Sequence, residues 1–184
     1  MKRIFIAVKV EAGPEMVRLT ANLKALLGGE SIKWVDQGNI HLTLAFLGDT
    51  EEKLIRTLSL MLKDRVSGFG EFDFLLKGTG IFKNFNDPRV IWIGISSSER
   101  LIMLNNIIES GLKDMGFRTE DRVFRPHLTV GRIRSVKDIN NLKSVLGKYQ
   151  DSAIQAVHVS EVFLYESILM QTGPLYKPLA KLRL

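Results

Sequence analysis

The chain has 184 residues, 45% of them hydrophobic, and a mean hydropathy of +0.06, which supports a packed core and argues against a disordered chain. It contains no cysteine, which excludes a disulfide framework and thiolate catalysis and suits a reducing cytoplasm. Twenty-six Lys and Arg against 20 Asp and Glu leave a net charge of +6 and a pI near 9.6, a balance that favours encounter with polyanions, nucleic acid first, although the same charge also serves plain solubility.

The opening "KRIFIAV" holds an apolar run from Ile4 to Val8 that has the length of a strand and is too short for a signal segment or a membrane span. The expectation is a soluble cytoplasmic protein with no membrane partner. A helical pattern follows from Pro14 to Leu27 and runs out at Gly28-Gly29. The segment "HLTLAFLGDT" then alternates as a strand, and "DTEEKLIRTLSLMLKDRV" is helical, with Asp49 and Glu52 spaced as a capping box. "EFDFLLKGTGIF" reads as another strand.

Eighty-six residues later the series starts again. Arg3 maps to Arg89, "IFIAV" to "VIWIG", and the first helix to Arg100–Lys113, which runs out at Gly116. "HLTVGRIRSV" takes the place of "HLTLAFLGDT", a helical "SVKDINNLKSVLGKY" follows, and "AVHVSEVFLYES" is again strand-like. Each half therefore reads β-α-β-α-β. The prediction is an α+β fold, a single domain over 1–184 made of two pseudo-symmetric halves, 1–86 and 87–184. A pseudo-twofold axis between the halves would bring the two copies of the motif to one cleft.

The motif is His41-Leu42-Thr43-Leu44 in the first half and His127-Leu128-Thr129-Val130 in the second. Strand side chains alternate between faces, so each His shares a face with its Thr while the aliphatic residues take the other. The chain has only three histidines and eight threonines, so two of three histidines with Thr two places on is far from chance. Imidazole titrates near neutrality, so one ring can accept a proton while the other donates one. Two hydroxyls can donate hydrogen bonds to the free oxygens of a tetrahedral anion. Together these groups suit metal-free cleavage of a phosphodiester. Neither motif carries an acidic residue or cysteine between its His and the next turn, so no metal site and no cofactor is expected. No G-x-S-x-G elbow and no phosphate-cradling G-x-x-x-x-G-K-[ST] occurs either.

Two HxTx motifs on equivalent strands resemble the 2H phosphoesterase superfamily and, within it, the RNA 2′,3′-cyclic phosphodiesterases, also described as 2′-5′ RNA ligases. "KRIFIAV", "HLTLAFLG", "RVIWIGI" and "FRPHLTVGR" are similar to that family's landmarks and extend the likeness over essentially the whole chain. The resemblance implies duplicated β-α-β-α-β halves whose antiparallel strands line a central groove. It implies a hydrolase that opens the 2′,3′-cyclic phosphate at an RNA end to leave a 2′-phosphate, with His41 as proton donor, His127 as proton acceptor, and Thr43 and Thr129 on the phosphoryl oxygens. A 2′-5′ ligation is the same chemistry with a ribose hydroxyl in place of water. Arg132 matches a family arginine that contacts the phosphate. Strict alternation puts it on the face opposite His127, and only a bulge or strand end at Gly131 would swing it into the groove.

Other residues read more plainly. Phe46, the counterpart of Arg132, is expected in the core, as are Trp34 and Trp92 in their apolar runs, although all three could stack on bases. His158 has no Thr at the paired spacing and reads as structural. Arg122, Arg125 and Arg134 flank the second motif and suit either an RNA backbone or a solvated rim. Tyr176, Lys177, Lys181 and Arg183 belong to a last edge strand. The expected partner is RNA ending in a cyclic phosphate, met by a monomer without an obligate protein partner. Two other readings stay open: a non-catalytic RNA-binding module, and a phosphodiesterase of a small cyclic or 2′-5′ linked nucleotide.

Overall fold

The strand β1 (Lys2–Lys9) buries five side chains in a row, from Ile4 to Val8. A strand does this only when both faces of its sheet are covered, and the computed structural model, which describes residues 1–119, 123–171 and 173–184, shows how. Ile4, Ile6 and Val8 enter the main core, while Phe5 and Ala7 belong to a second, aromatic cluster with Tyr165 on the opposite face.

The remaining elements are α1 (Pro14–Leu26), β2 (Ser31–Trp34), a 3₁₀ turn (Gln37–Asn39), β3 (His41–Thr50), α2 (Glu52–Val66) and β4 (Phe72–Asn84). They continue with β5 (Asp87–Ser96), α3 (Glu99–Asp114), β6 (His127–Ser135), α4 (Ile139–Gly147), β7 (Ala153–Val159), β8 (Glu161–Met170) and β9 (Gly173–Arg183). Pro14 starts α1, where its missing N–H is no loss. Gly116, at φ +80°, takes the left-handed position just past α3. The capping box expected from Asp49 and Glu52 does not form: β3 runs on through Thr50, and the N-cap of α2 is Glu51, whose side chain makes no capping bond. In α4 the cap is Asp138, which accepts from the N–H groups of Asn140 and Asn141.

Two antiparallel sheets result, with strand orders β3-β1-β8-β9 and β2-β6-β5-β4-β7. The α+β class read from the sequence is therefore what forms. The repeat did not disclose how the halves interleave. β4, from the first half, hydrogen-bonds to β5, and β8, from the second half, hydrogen-bonds to β1. The helices exchange likewise: α2 and α3 pack on each other and on β9 and β3, whereas α1 and α4 pack beside β7 and β4. Leu42, Leu44, Leu128 and Val130, the aliphatic residues of the two motifs, lie in one continuous core with these helices. Among the described residues no helix is long and apolar enough to cross a membrane.

Both motif strands carry a β-bulge at the same place in the motif. Opposite β1, the register slips between Thr43 and Ala45, leaving Leu44 as the extra residue; opposite β5 it slips between Thr129 and Gly131, leaving Val130. A bulge leaves main-chain groups outside the ladder that need other partners. β6 has a second neighbour, and the carbonyl of Val130 accepts from the N–H of Val35 at 2.9 Å. β3 is an edge strand, and there the buried amide of Asn105 on α3 donates to the carbonyl of Leu44 at 2.8 Å. Replacing Asn105 by the similarly sized Leu should strand that carbonyl and destabilise the fold by about 1–3 kcal/mol. Denaturant melts would show this as a lower midpoint with the slope unchanged; an unaltered midpoint would mean that the bulge does not need the bond.

Candidate active site

Each histidine is held by its own backbone. His41 Nδ1 lies 2.7 Å from the carbonyl of Asn39, and His127 Nδ1 lies 2.7 Å from the carbonyl of Arg125, the same contact two residues back in both motifs. A carbonyl can only accept, so Nδ1 carries the hydrogen in both rings. Each Nε2 is thereby left to meet a substrate, as acceptor when the ring is neutral and as donor when it is protonated. Thr43 and Thr129 are half-buried on the same strand faces as their histidines.

The rings also rest on aromatic walls. His41 packs against Phe5 at 5.0 Å between centroids and edge-on against Tyr176 at 4.9 Å. His127 packs edge-on against Phe82 at 4.8 Å, and Phe82 lies 5.5 Å from Trp92. Trp92 stands opposite Thr129 in the β5–β6 register and so shares the groove face, not the core face expected for it; its indole lies where a Cβ on Gly80 would collide. Trp34 does pack against the core. None of Phe5, Phe82 and Tyr176 stood out in the sequence. Phe5 lies inside an apolar run, and Tyr176 comes from the far end of the chain on an edge strand, where only tertiary pairing brings it to His41.

The bulge resolves the position of Arg132. Val130 and Gly131 are both buried, so the alternation loses one step and Arg132 emerges on the His127 and Thr129 face instead of the opposite one. A Cβ on Gly131 would be crowded, standing 3.0 Å from Ile32 and 3.2 Å from Trp34. The matching bulge in β3 does the same to Phe46. Expected in the core, it is 57% exposed and shares the groove side with Phe5, 6.0 Å away between ring centroids.

Arg132 links the two sheets electrostatically. Burial pushes the His41 imidazole below its ordinary value, the hydrogen bond to Asn39 opposes this, and the positive charge of Arg132 adds to the lowering. The same guanidinium acts on Tyr176, whose phenol burial pushes upward while Arg132 and Arg3 pull it down. His41 and Tyr176 from one sheet thus lie within the field of Arg132 from the other, at the place where β3 and β6 come into contact. His158 stands apart, exposed, between Asp73 at 2.8 Å and Glu71 at 3.1 Å, which raise its pKa; this is a surface ion cluster. Arg125 and Arg134 are solvent-facing, and Arg122 lies outside the described residues. Among the described residues no group of three or more His, Cys, Asp or Glu is arranged to hold a metal. Removing the Arg132 charge should raise the pKa of His41: NMR titration of the His41 ring in Arg132→Ala should give a higher midpoint than in the wild type, and an equal or lower midpoint would place Arg132 too far away to act.

Comparisons with known proteins place the chain in a family. The family model of LigT-like phosphoesterases matches twice, over residues 6–92 and 93–176. The RNA 2′,3′-cyclic phosphodiesterase of Methanothermobacter thermautotrophicus is 33% identical over 184 residues, covering 99% of this chain and 98% of that protein. The protein of the same name from Archaeoglobus fulgidus is 36% identical over 96% of this chain and 97% of its own. Among solved structures, E. coli LigT complexed with 3′-AMP superposes with a TM-score of 0.77 at 26% identity, covering 100% of this chain and 98% of that one. With both halves matched by the family and relatives aligned end to end, the chain belongs to the LigT-like (2H) phosphoesterases.

Proposed function

We propose that this phosphoesterase hydrolyses the 2′,3′-cyclic phosphate at the end of RNA, without a metal, using His41 and His127 as a proton-exchanging pair. The observation that carries the reading is the duplicated arrangement in which each imidazole gives its Nδ1 hydrogen to a main-chain carbonyl and keeps Nε2 for the substrate. The names carried by the full-length relatives supply the substrate class.

In the proposed reaction His127 Nε2 takes a proton from water as the water oxygen bonds to phosphorus. The bond from phosphorus to O3′ breaks in line, and O3′ takes the proton from His41 Nε2. The product carries a 2′-phosphate and a free 3′ hydroxyl, and the two rings have exchanged protonation states. Thr43 and Thr129 donate to the non-bridging oxygens, and the Arg132 guanidinium supports their charge. The reverse direction, with a ribose hydroxyl in place of water, would join RNA ends through a 2′-5′ bond. We read the chain as one domain, 1–184, built by duplication of halves 1–86 and 87–184. The repeated HxTx, bulge and ring-to-carbonyl contact support that origin. A monomer suffices, because both histidines come from one chain, and the absence of cysteine suits the cytoplasm. A purely RNA-binding role is disfavoured by membership in an enzyme family and by the paired His and Thr set, which binding alone does not require.

The burial of His41 creates a requirement for this mechanism. The acid must be protonated, yet its environment in the free protein favours the neutral ring. The approach of an anionic phosphate offsets this by stabilising the imidazolium. In kcat/KM, which reports the free enzyme, one limb of the bell should therefore lie below pH 6.5. A profile flat from pH 5 to 8 would remove the histidine pair from the mechanism. His41→Ala and His127→Ala should each lower kcat by about 10²–10⁴-fold on an oligonucleotide ending in a cyclic phosphate, with the fold verified by circular dichroism. Turnover retained in both variants would refute the assignment. EDTA should leave the rate unchanged, and the product should be resistant to a 3′-specific phosphatase.

A further inference from the structure

Arg132 does not stand alone on its face of the sheet. Its direct partner across the β2–β6 register is Lys33, and beyond buried Ile133 the alternation brings Arg134 to the same side. Ile32 and Trp34, the neighbours of Lys33 on β2, pack on the core, so Lys33 is turned to the groove side with Arg132. All three cationic residues are exposed. The Lys33 ammonium also approaches the other sheet: it lies 3.9 Å from where a Cβ on Gly173 would stand, at the start of β9. A short row of cations therefore begins at the reacting end of the groove, where Arg132 acts on His41 and Tyr176, and runs outward along β6 and the edge strand β2.

Among the described residues none of Lys33, Arg132 and Arg134 makes an ion pair. The carboxylates nearest to Lys33 along the chain are engaged elsewhere. Glu30 accepts from the N–H groups of Lys137 and Asp138 at 2.6 and 3.1 Å, and Asp36 accepts from the N–H of Gly38 at 2.9 Å. Like charges directly opposite each other on neighbouring strands destabilise a sheet, so the free protein carries a repulsion that a bound polyanion would relieve. A rim that served solubility alone would mix the two signs, as Lys83, Asp87 and Arg89 do where β4 turns into β5. The spacing also suits a nucleic acid backbone. Arg132 and Arg134 are two residues apart on an extended strand, about 6.6 Å, and Lys33 is one strand spacing from Arg132, about 4.8 Å. Both intervals are on the scale of the step from one phosphate to the next in a single strand, and the long side chains let the charged groups follow it.

We propose that Lys33 and Arg134 bind the phosphates that precede the cyclic one, so that an RNA strand held at its end by Arg132 leaves the groove along β2 and β6. The enzyme then acts on the end of a polynucleotide in preference to a free cyclic mononucleotide. This rests on the cyclic phosphodiesterase reading above and adds the residues that recognise the strand.

The test uses two substrates: a nucleoside 2′,3′-cyclic phosphate with no 5′ phosphate, and a tetranucleotide ending in the cyclic phosphate. Wild-type kcat/KM should be higher on the tetranucleotide. Lys33→Gln and Arg134→Gln, both surface changes, should each lower the tetranucleotide-to-mononucleotide ratio of kcat/KM about fivefold, the upper end for a solvent-exposed charge pair. In each, the slope of log(kcat/KM) against log[salt] on the tetranucleotide should become shallower by about 0.7, as for one lost single-strand phosphate contact. Lys33→Arg keeps the charge and should keep the ratio. The denaturation midpoint of Lys33→Gln should not fall, because the change removes a cross-strand repulsion. A ratio and salt slope unchanged in the double variant Lys33→Gln/Arg134→Gln, or a wild type indifferent to chain length, overturns the track while leaving the parent activity standing. A lower midpoint in Lys33→Gln would assign the ammonium to the fold and overturn its part in the track. Wild-type protein inert on both substrates would instead overturn the parent reading.

Discussion

Two hydrogen bonds from imidazole to main chain set the chemistry available to this protein. An unrestrained neutral histidine exchanges its proton between two nitrogens and rotates about two side-chain bonds. Here the carbonyls of Asn39 and Arg125, each 2.7 Å from Nδ1, favour one tautomer and one ring orientation. Such bonds contribute only about 0.5–1.5 kcal/mol each to stability. Their larger effect is to leave each Nε2 free in a fixed orientation, with little reorganisation to undergo when a phosphate arrives. The aromatic contacts of Phe5, Tyr176 and Phe82 complete the restraint by closing the faces and edges of the rings.

The second constraint is the pair of bulges that follows each threonine. An unbroken strand would present His, Thr and then a third residue of the same parity. The extra residue, Leu44 or Val130, shifts the phase and brings Phe46 and Arg132 onto the groove side. The two sheets thus use one backbone device for different ends. On β6 it delivers a guanidinium whose charge reaches His41; on β3 it delivers an exposed ring. The asymmetry suits the proposed reaction, in which two imidazoles act on one phosphate held by one guanidinium. It also shows why the bulge carbonyls have dedicated donors, Asn105 in one case and Val35 in the other.

Interleaving of the halves ties these devices together. Because β4 pairs with β5 and β8 pairs with β1, neither half closes a sheet alone. The main core runs continuously beneath both motifs, holding Leu42 and Leu128 alike. Tyr176 is the plainest product of this exchange: a residue of β9, near the end of the second half, sits 4.9 Å from the histidine of the first.

Much of this was legible in the chain itself, because the information was periodic. The repeat at 86 residues, the alternation around each HxTx and the helical runs between them come from side-chain chemistry that local pattern reports, and they sufficed for the α+β class and the four His and Thr candidates, while the family came from the resemblance of the motifs and their flanking segments. What depended on non-local pairing was not legible. Alternation alone sends Arg132 to the opposite face, and Gly131 marks where a bulge could turn it; nothing around Leu44 marks the matching bulge, so Phe46 reads as core. Trp92 reads as core in its apolar run, yet opposite the small residues of β4 it lies flat on the groove face. The exchange of strands between halves, the walls supplied by Phe5 and Tyr176, and the depression of His41 by burial and Arg132 exist only once distant segments are in contact. Hydrophobic pattern fixes which face a residue prefers, whereas register and strand order fix what it meets there.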